Sequence, residues 1–325
     1  MDMKKRILSG IQPSGYLHLG NYFGAMKQYL ELQDDNESLI FIANLHAMNT
    51  IKDPKALYEN TLEVAASYLA IGLDPGKVFL FRQSDIPEVC ELSWYLSTLT
   101  PMGLLERCHS YKDHLAKGIS PDHGLFAYPV LMAADILIYK SNIVPVGRDQ
   151  KQHVEVARDI AIKFNNTYGN IFIIPDVRIN ENTAIVPGID GQKMSKSYDN
   201  YISPFWEENK IKKQVMRIVT DSTPVEQPKD PEKCNVFAIY KLLADKDETE
   251  TMRKKYVSGG YGYGDAKKEL LNKILTCFSE TRNRYFDLKK NMDYVEKILK
   301  DGASKARDIA SKTMDEVRKA TGIKQ

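Results

Sequence analysis

Five short runs of β-branched and aromatic residues, each separated from the next by a stretch long enough for a crossover, constrain this chain most. They are Ile7-Leu8, Leu39-Ile40-Phe41-Ile42-Ala43, Val78-Phe79-Leu80-Phe81, Ile143-Val144-Pro145-Val146 and Ile171-Phe172-Ile173-Ile174. Consecutive apolar residues, without in–out alternation, mark strands buried on both faces. Such strands need cover on both sides, and the segments between them carry helical spacing. The pattern predicts βαβ units around a parallel sheet. Pro145 has no N–H to give a ladder, so its strand is expected at an edge or near its own end.

The helices carry recognisable ends. Asp53-Pro54 fits an N-cap with a first-turn proline, and Gly72 fits the stop after Leu57, Leu62, Ala65 and Leu69. Asp149 is a candidate cap for a helix through Phe164, closed by Gly169. Residues 175–200, rich in Pro, Gly, Asn and Asp, read as a long functional loop. After Ser203-Pro204, another cap-like pair, the pattern is helical throughout. Leu271, Ile274, Phe278, Tyr285, Leu288, Met292, Val295 and Leu299 form one apolar stripe, expected as one long helix or two in line.

A chain of 325 residues exceeds what one core usually serves, so two domains are expected. Residues 1–200 hold 19 basic and 23 acidic side chains, while residues 201–325 hold 26 and 20, a net −4 against +6. A basic helical half permits contact with nucleic acid, though solvated helix faces give the same excess. The uncharged stretch 8–26 contains four Gly with Ser, Gln, Pro, His and Asn, which excludes a membrane span. Two apolar residues after Lys4-Lys5-Arg6 are too few for a signal-peptide core. Cys90, Cys108, Cys234 and Cys277 lie far apart without metal-ligand spacing, so a cytoplasmic protein without structural zinc is expected.

Two segments carry chemistry. Pro13-Ser14-Gly15-Tyr16-Leu17-His18-Leu19-Gly20-Asn21 follows the first strand and opens a helical pattern over 22–32. It is neither a Walker loop nor a G-x-G-x-x-G turn. A glycine in the opening turn allows close approach to the backbone, and N-terminal amides favour a phosphate. The second is Lys193-Met194-Ser195-Lys196-Ser197, at the end of the long loop. Two lysines flanking small hydroxyl residues suit a polyphosphate whose charge shifts as it leaves. Either segment alone could be a connector or a solvated turn; the pair in this order, around an α/β pattern, is specific.

Together these segments resemble the two signatures of class I aminoacyl-tRNA synthetases. Three further stretches are similar to the bacterial-type tryptophanyl branch of that class: residues 9–15, residues 128–137 around Met132 and Asp135, and residues 144–153, with a weaker match at the glycine–tyrosine repeat near Gly260. The resemblance implies a Rossmann-like parallel-sheet domain over residues 1–203, rejoined by the last helix, and an all-helical domain over 204–325 on the anticodon side of tRNA. It implies ATP-dependent activation of L-tryptophan, transfer to tRNA(Trp), Mg²⁺ on the ATP phosphates, and a homodimer. For ATP it points to Gln12, Pro13, Ser14, Gly20, Asn21, Gly147, Arg148, Asp149, Val186, Lys193, Met194, Ser195, Lys196 and Ser197. For tryptophan it points to Asp135, accepting from the indole N–H, with Leu8, His46, Tyr128, Met132, Val144, Val146 and Gln150 around it. Lys193, Lys196, His18 and Lys112 would act on the reacting phosphates.

The chemistry agrees where it can be judged. Indole offers a donor and no acceptor, so a buried carboxylate suits it. By its residues alone, Asp135 could equally cap or salt-bridge a helix, and His46, Met132 and the valines could be ordinary core. Four positions depart from the family pattern: His18 where many relatives have Thr, Arg148 in place of an acidic residue, His114 where a second Lys often follows Lys112, and Leu8 in place of an aromatic. A tyrosine-specific enzyme of the same class would want donors beside the aspartate. A non-catalytic RNA-binding relative would have no need of both lysines, and a plain adenylyl transferase none of the helical half. Lys210, Lys212, Lys213 and Arg217 on one helix, and Arg282 and Arg284 on another, are the candidate tRNA contacts.

Overall fold

The computed structural model describes residues 5–147, 150–179 and 186–325. Its sheet has five parallel strands in the order β3-β2-β1-β4-β5: β1 (Arg6–Ile11), β2 (Glu37–Ile42), β3 (Val78–Arg82), β4 (Ile143–Val146) and β5 (Asp176–Ile179). The order reverses between β1 and β4, which makes the carboxyl ends of these two strands the switch point where open α/β sheets bind ligands. Side-chain alternation along β2 divides the cover. Leu39 and Phe41 enter one core and Ile40 and Ile42 another, with helices on both faces.

Helix α1 (Leu19–Asn21) runs through a π-helical turn, Tyr22–Met26, into α2 (Lys27–Leu32). Next come α3 (Asn44–Ala47), α4 (Pro54–Ala70), α5 (Glu88–Ser97), α6 (Met102–Glu106), α7 (His109–Ala116), α8 (His123–Ile138) and α9 (Lys151–Tyr168). Asp53 caps α4 by accepting from the Lys55 and Ala56 amides, and Gly169 closes α9 with φ +101°. The remainder is helical: α10 (Glu208–Met216), α11 (Asn235–Leu243), α12 (Lys246–Ser258), α13 (Tyr263–Cys277), α14 (Ser279–Lys290) and α15 (Met292–Ala320). Helix α15 lies along the edge strand β3, covering the ladder that β3 would otherwise expose. The approach is so close that a Cβ on Gly302 would sit 2.1 Å from the Leu80 carbonyl oxygen.

Three local expectations give way, while Pro145 does lie near the end of its strand. The fifth strand is Asp176–Ile179, because Asn165 takes the Ile171 and Phe172 amides with its Oδ1 and the Phe172 carbonyl with its Nδ2, pulling that run against Phe164. As a sheet edge, β5 carries the polar Asp176 and Arg178 and so looks unlike a buried strand. Strand β4 is interior; its register with β1 pairs Ile7 with Ile143, and Pro145 lies beyond that point, near the strand end. Ser203-Pro204 begins a turn in which Ser203 Oγ accepts from the Phe205 amide, and α10 starts only at Glu208. The long stripe is broken into α13, α14 and α15, with Asn291 capping the last. Asp149 lies outside the described residues; α9 begins there with Gln150 at its N-cap.

A separate core joins α10 to α13 and includes Met194 from the second signature segment, Val186, Ile189 and Ile202 from the chain on either side of it, and Leu19 from the first segment. The loop that bears the lysines is thus packed as part of the helical half.

Candidate functional site

At the switch point lies a cavity of about 320 Å³. All eight side chains expected around tryptophan line it: Leu8, His46, Tyr128, Met132, Asp135, Val144, Val146 and Gln150. Gln12 and Gly147, expected on the nucleotide side, line it as well. Leu8 and Val144 come from β1 and β4, while Tyr128, Met132 and Asp135 share one face of α8 at spacings of four and three. Gly24 and Ala25 form another part of the wall, from the π-helical turn.

Asp135 is 1% exposed. Its Oδ2 accepts from His46 Nε2 at 2.9 Å, and both carboxylate oxygens accept from Gln83 Nε2, at 3.0 and 2.8 Å. Burial pushes the Asp135 pKa up, and the hydrogen bonds from His46 and Gln83 oppose that rise. The mouth has a second polar chain. Tyr128 OH meets Ser110 Oγ and His153 Nε2, each at 2.9 Å, and His153 Nδ1 meets Gln150 Oε1 at 2.7 Å. Burial raises the Tyr128 pKa, so the phenol remains a neutral donor at pH 7.

The first loop turns at Gly15, whose φ of +88° favours glycine. Pro13 is buried beneath it, and Asn21 Oδ1 accepts from the His18 amide at 3.0 Å. His18 itself is buried, with no hydrogen-bond partner for Nδ1. Burial, reinforced by the Lys196 charge, pulls its imidazole down to about 4, so it is neutral at pH 7. Gly20 is required beside it, since a Cβ there would lie 2.9 Å from the imidazole.

The second loop is organised by Asn200, which is buried. Its Oδ1 accepts from the Ser195 amide at 2.7 Å, and its Nδ2 donates to Asp190 Oδ1 at 2.8 Å and the Lys193 carbonyl at 3.2 Å. Met194 donates its amide to the Val186 carbonyl and buries its side chain in the helical core. Ser195 Oγ accepts from the Ser197 amide, leaving Lys193 exposed. Lys196 bridges the signatures: Nζ donates to Ser14 O and Oγ at 2.8 Å each and to Gly15 O at 3.3 Å. Its burial there lowers its pKa to about 8.

Some expectations are not brought together. Lys112 lies on the exposed side of α7, in a shallow depression with His109, Ser110 and Asp113, and does not line the cavity. Arg148 and Asp149 lie outside the described residues. Arg282 is 5% exposed, donating to the Leu275 carbonyl beside Glu208, so it is no surface contact. Lys210 is exposed but lies over the Trp206 ring at 4.1 Å and the Tyr16 ring at 5.6 Å. The sequence reading misses Gln83, Asn200 and His153. Gln83 follows β3 at its carboxyl end, the place where a polar residue is a signal in an open α/β sheet.

A parallel sheet with order 3-2-1-4-5 and a nucleotide-type loop after β1 defines a Rossmann-like class of enzyme. The model of the family described as tRNA synthetases class I (W and Y) matches residues 2–279, and the chain belongs to this family. It is 53% identical over 320 residues to a tryptophan–tRNA ligase of Fusobacterium nucleatum, covering 98% of each chain. Identity to the tryptophan–tRNA ligase of Rhodopirellula baltica is also 53%, over 98% of this chain and 100% of that one. The structure of Campylobacter jejuni tryptophanyl-tRNA synthetase complexed with ADP and tryptophan superposes with a TM-score of 0.93, at 51% identity over 98% of this chain and 99% of that one.

Proposed function

We propose that this chain is an ATP-dependent ligase that joins L-tryptophan to tRNA(Trp). The observation that carries the specificity is a buried carboxylate, Asp135, in the wall of an otherwise largely apolar cavity at the switch point. The indole ring would lie against Leu8, Met132, Val144 and Val146, with its N–H on Asp135, while Tyr128 and Gln150 would meet the polar end of the amino acid. The tryptophan carboxylate attacks the α-phosphorus of ATP in line and pyrophosphate leaves, giving tryptophanyl-adenylate; a 3′-terminal ribose hydroxyl of the tRNA then takes the tryptophanyl group and AMP leaves. No protein nucleophile is required, because positioning and charge stabilisation suffice.

Gln12, Ser14, Gly20, Asn21 and Gly147 would hold the nucleotide, with Val186 and Met194 flanking it. His18, neutral, would offer a ring nitrogen to it without adding charge. Lys193 and Lys196 would follow the phosphates, which requires Lys196 to leave Ser14 and Gly15. Ammonium groups suit phosphate oxygens, and Mg²⁺ would arrive on the ATP. Residues 1–203 would serve ATP and tryptophan, and 204–325 the anticodon side. Lys210, Lys212 and Lys213 on α10, Arg217 at its C-cap and Arg284 on α14 remain exposed for that contact. A homodimer is supported by exposed apolar side chains on α5 and α6, Trp94 at 72% and Met102 at 63%. Among the described residues no helix is long and apolar enough to cross a membrane, in keeping with a cytoplasmic enzyme.

Pyrophosphate exchange with each of the twenty amino acids, with and without tRNA, tests the reading. Tryptophan alone should support exchange without tRNA; equal exchange with tyrosine would overturn the specificity.

A further inference from the structure

Gln83 is 1% exposed and does not line the cavity, yet both ends of its amide are engaged. Oε1 accepts from the Leu45 amide at 3.0 Å and from the His46 amide at 3.3 Å. A backbone N–H can only donate, so these two bonds fix the orientation of the amide and leave the NH₂ facing Asp135, where it meets both oxygens. The residue sits at the end of β3, and reciprocal bonds fix its neighbour: Asn44 Nδ2 donates to Ser84 Oγ at 2.8 Å and Ser84 N donates to Asn44 Oδ1 at 3.0 Å. One amide thus joins three elements, β3, the start of α3 that carries His46, and α8 that carries Asp135.

We infer that Gln83 is a specificity-determining positioning residue: it dictates that the group at position 135 presents an acceptor, and not a donor, to the ligand. The inference rests on the tryptophan reading of the cavity. A carboxylate has no fixed polarity problem, but it needs donors behind it to remain an ionised acceptor in a buried site. Gln83 supplies one such donor from outside the ligand's reach, and His46 supplies another. In Asp135→Asn, the Gln83 donor would claim the new amide oxygen and turn its NH₂ toward the indole N–H, donor against donor. In Gln83→Glu the side chain can still accept from the Leu45 and His46 amides, but the two carboxylates share a proton, so the polarity behind position 135 is reversed only at a pH that ionises both.

The test measures binding to the full chain of L-tryptophan and of its benzothiophene isostere, in which sulfur replaces the N–H; the ratio of the isostere's dissociation constant to that of tryptophan reads the acceptor alone. Asp135→Asn should lower that ratio on the order of tenfold or more, the scale of one hydrogen bond to a charged group. Gln83→Met should lower it by less, since a thioether leaves Asp135 without one donor but opposes it with nothing, and Gln83→Glu should lower it comparably to Asp135→Asn only as the pH rises through loss of the shared proton. The double variant Asp135→Asn with Gln83→Glu should recover part of the ratio, because the carboxylate introduced at position 83 would accept the amide NH₂ introduced at position 135 and turn the amide oxygen to the indole. Such recovery is a coupling that general loosening of the fold does not produce. Unchanged discrimination in Asp135→Asn would defeat the tryptophan reading itself. Discrimination lost in Asp135→Asn but kept in Gln83→Met and, at every pH, in Gln83→Glu, or a double variant no better than Asp135→Asn, would overturn the role of Gln83 alone. Equal weakening of both ligands in the Gln83 variants would mark it as merely structural.

Discussion

The two ends of the cleft hold their polar groups in opposite ways. At the end proposed for tryptophan, Asp135 is buried and met by His46 and Gln83, themselves fixed by backbone and neighbouring side chains. At the phosphate end, Lys193 is exposed and Lys196 rests on Ser14 and Gly15, partners that a phosphate could replace. Selecting an amino acid requires an acceptor that does not move, since a mobile one adapts to the wrong ligand. Stabilising a leaving group requires charge that follows it. The division also runs between the halves of the chain: the fixed end belongs to the sheet core, whereas Met194 ties the mobile end to the helical core.

The largest expected effect tests the mobile end. Lys196→Ala should lower the rate of adenylate formation roughly 10²–10³-fold, the scale of losing one donor from a charge-stabilising site, while the dissociation constant for tryptophan stays within a factor of two, read roughly against the limits of titration. Single-turnover kinetics with equilibrium titration decide it. A parallel loss of tryptophan binding would show the two ends to be one rigid unit and end the contrast.

Asp135→Asn should do the converse. Removing a charge-assisted bond in a buried site costs about 1.5–3 kcal/mol, a loss of roughly 10- to 150-fold in kcat/KM for tryptophan. ATP binding should be unaffected, and the exchange rate at saturating tryptophan should fall less than in Lys196→Ala. An unchanged kcat/KM would remove Asp135 from the pocket.

Asn200→Ala probes what holds the mobile end together. It deletes bonds to Ser195, Lys193 and Asp190, and takes from the Ser195 amide and the Lys193 carbonyl, both part-buried, the partner that joins them. We expect adenylate formation to slow roughly tenfold, about 1.4 kcal/mol, with tryptophan affinity retained and a small drop in Tm. A fall in tryptophan affinity as large as in Asp135→Asn would mean that the second loop also shapes the cavity.

What the sequence discloses follows the same division. Strands β2 to β4 are legible because burial on both faces leaves uninterrupted apolar runs, whereas β1 shows only Ile7-Leu8, since Ser9 and Gly10 interrupt a strand that continues to Ile11. The last strand is misplaced because an edge strand tolerates Asp176 and Arg178, while the more apolar run before it is held by Asn165 instead. The π-helical turn at Tyr22–Met26 is invisible in the sequence, since one inserted residue barely disturbs spacing of three and four. Arg282 reads as surface charge although Phe278, Arg282 and Tyr285 follow helical spacing on the apolar stripe; its charge masks its position. The lining of the cavity is legible through the resemblance, residue by residue. Gln83 and Asn200 are not, because each acts through partners fixed only by the fold: Asp135 is 52 positions from Gln83 in the chain. Lys112 is placed by motif alone, and its helix carries it away from the cavity lining.

The smallest expected effect separates charge from structure at a single atom. In the resting enzyme Lys196 has its pKa lowered to about 8 by burial, so near pH 8 about half of the molecules would lack this charge, by the ordinary titration relation. The kcat/KM for ATP reports the free enzyme and should therefore fall about twofold by pH 8 and further above it, whereas Lys196→Arg, if active, should lack this limb because guanidinium stays protonated. Stability should move the other way. Between about 8 and the ordinary lysine value of 10.5, the unfolded chain holds this proton and the folded chain does not. The unfolded state then binds more protons, so the Lys196 contribution to stability rises with pH across that window. Other lysines and tyrosines titrate there too, so the quantity to measure is the difference between wild type and Lys196→Arg in urea unfolding from pH 7 to 10. A wild-type enzyme that gains stability relative to the variant while losing ATP efficiency would place the same ammonium at the balance of both. If both curves ran parallel, Lys196 would be an ordinary solvated lysine, and the phosphate end would owe its mobility to the loop rather than to a charge held out of water.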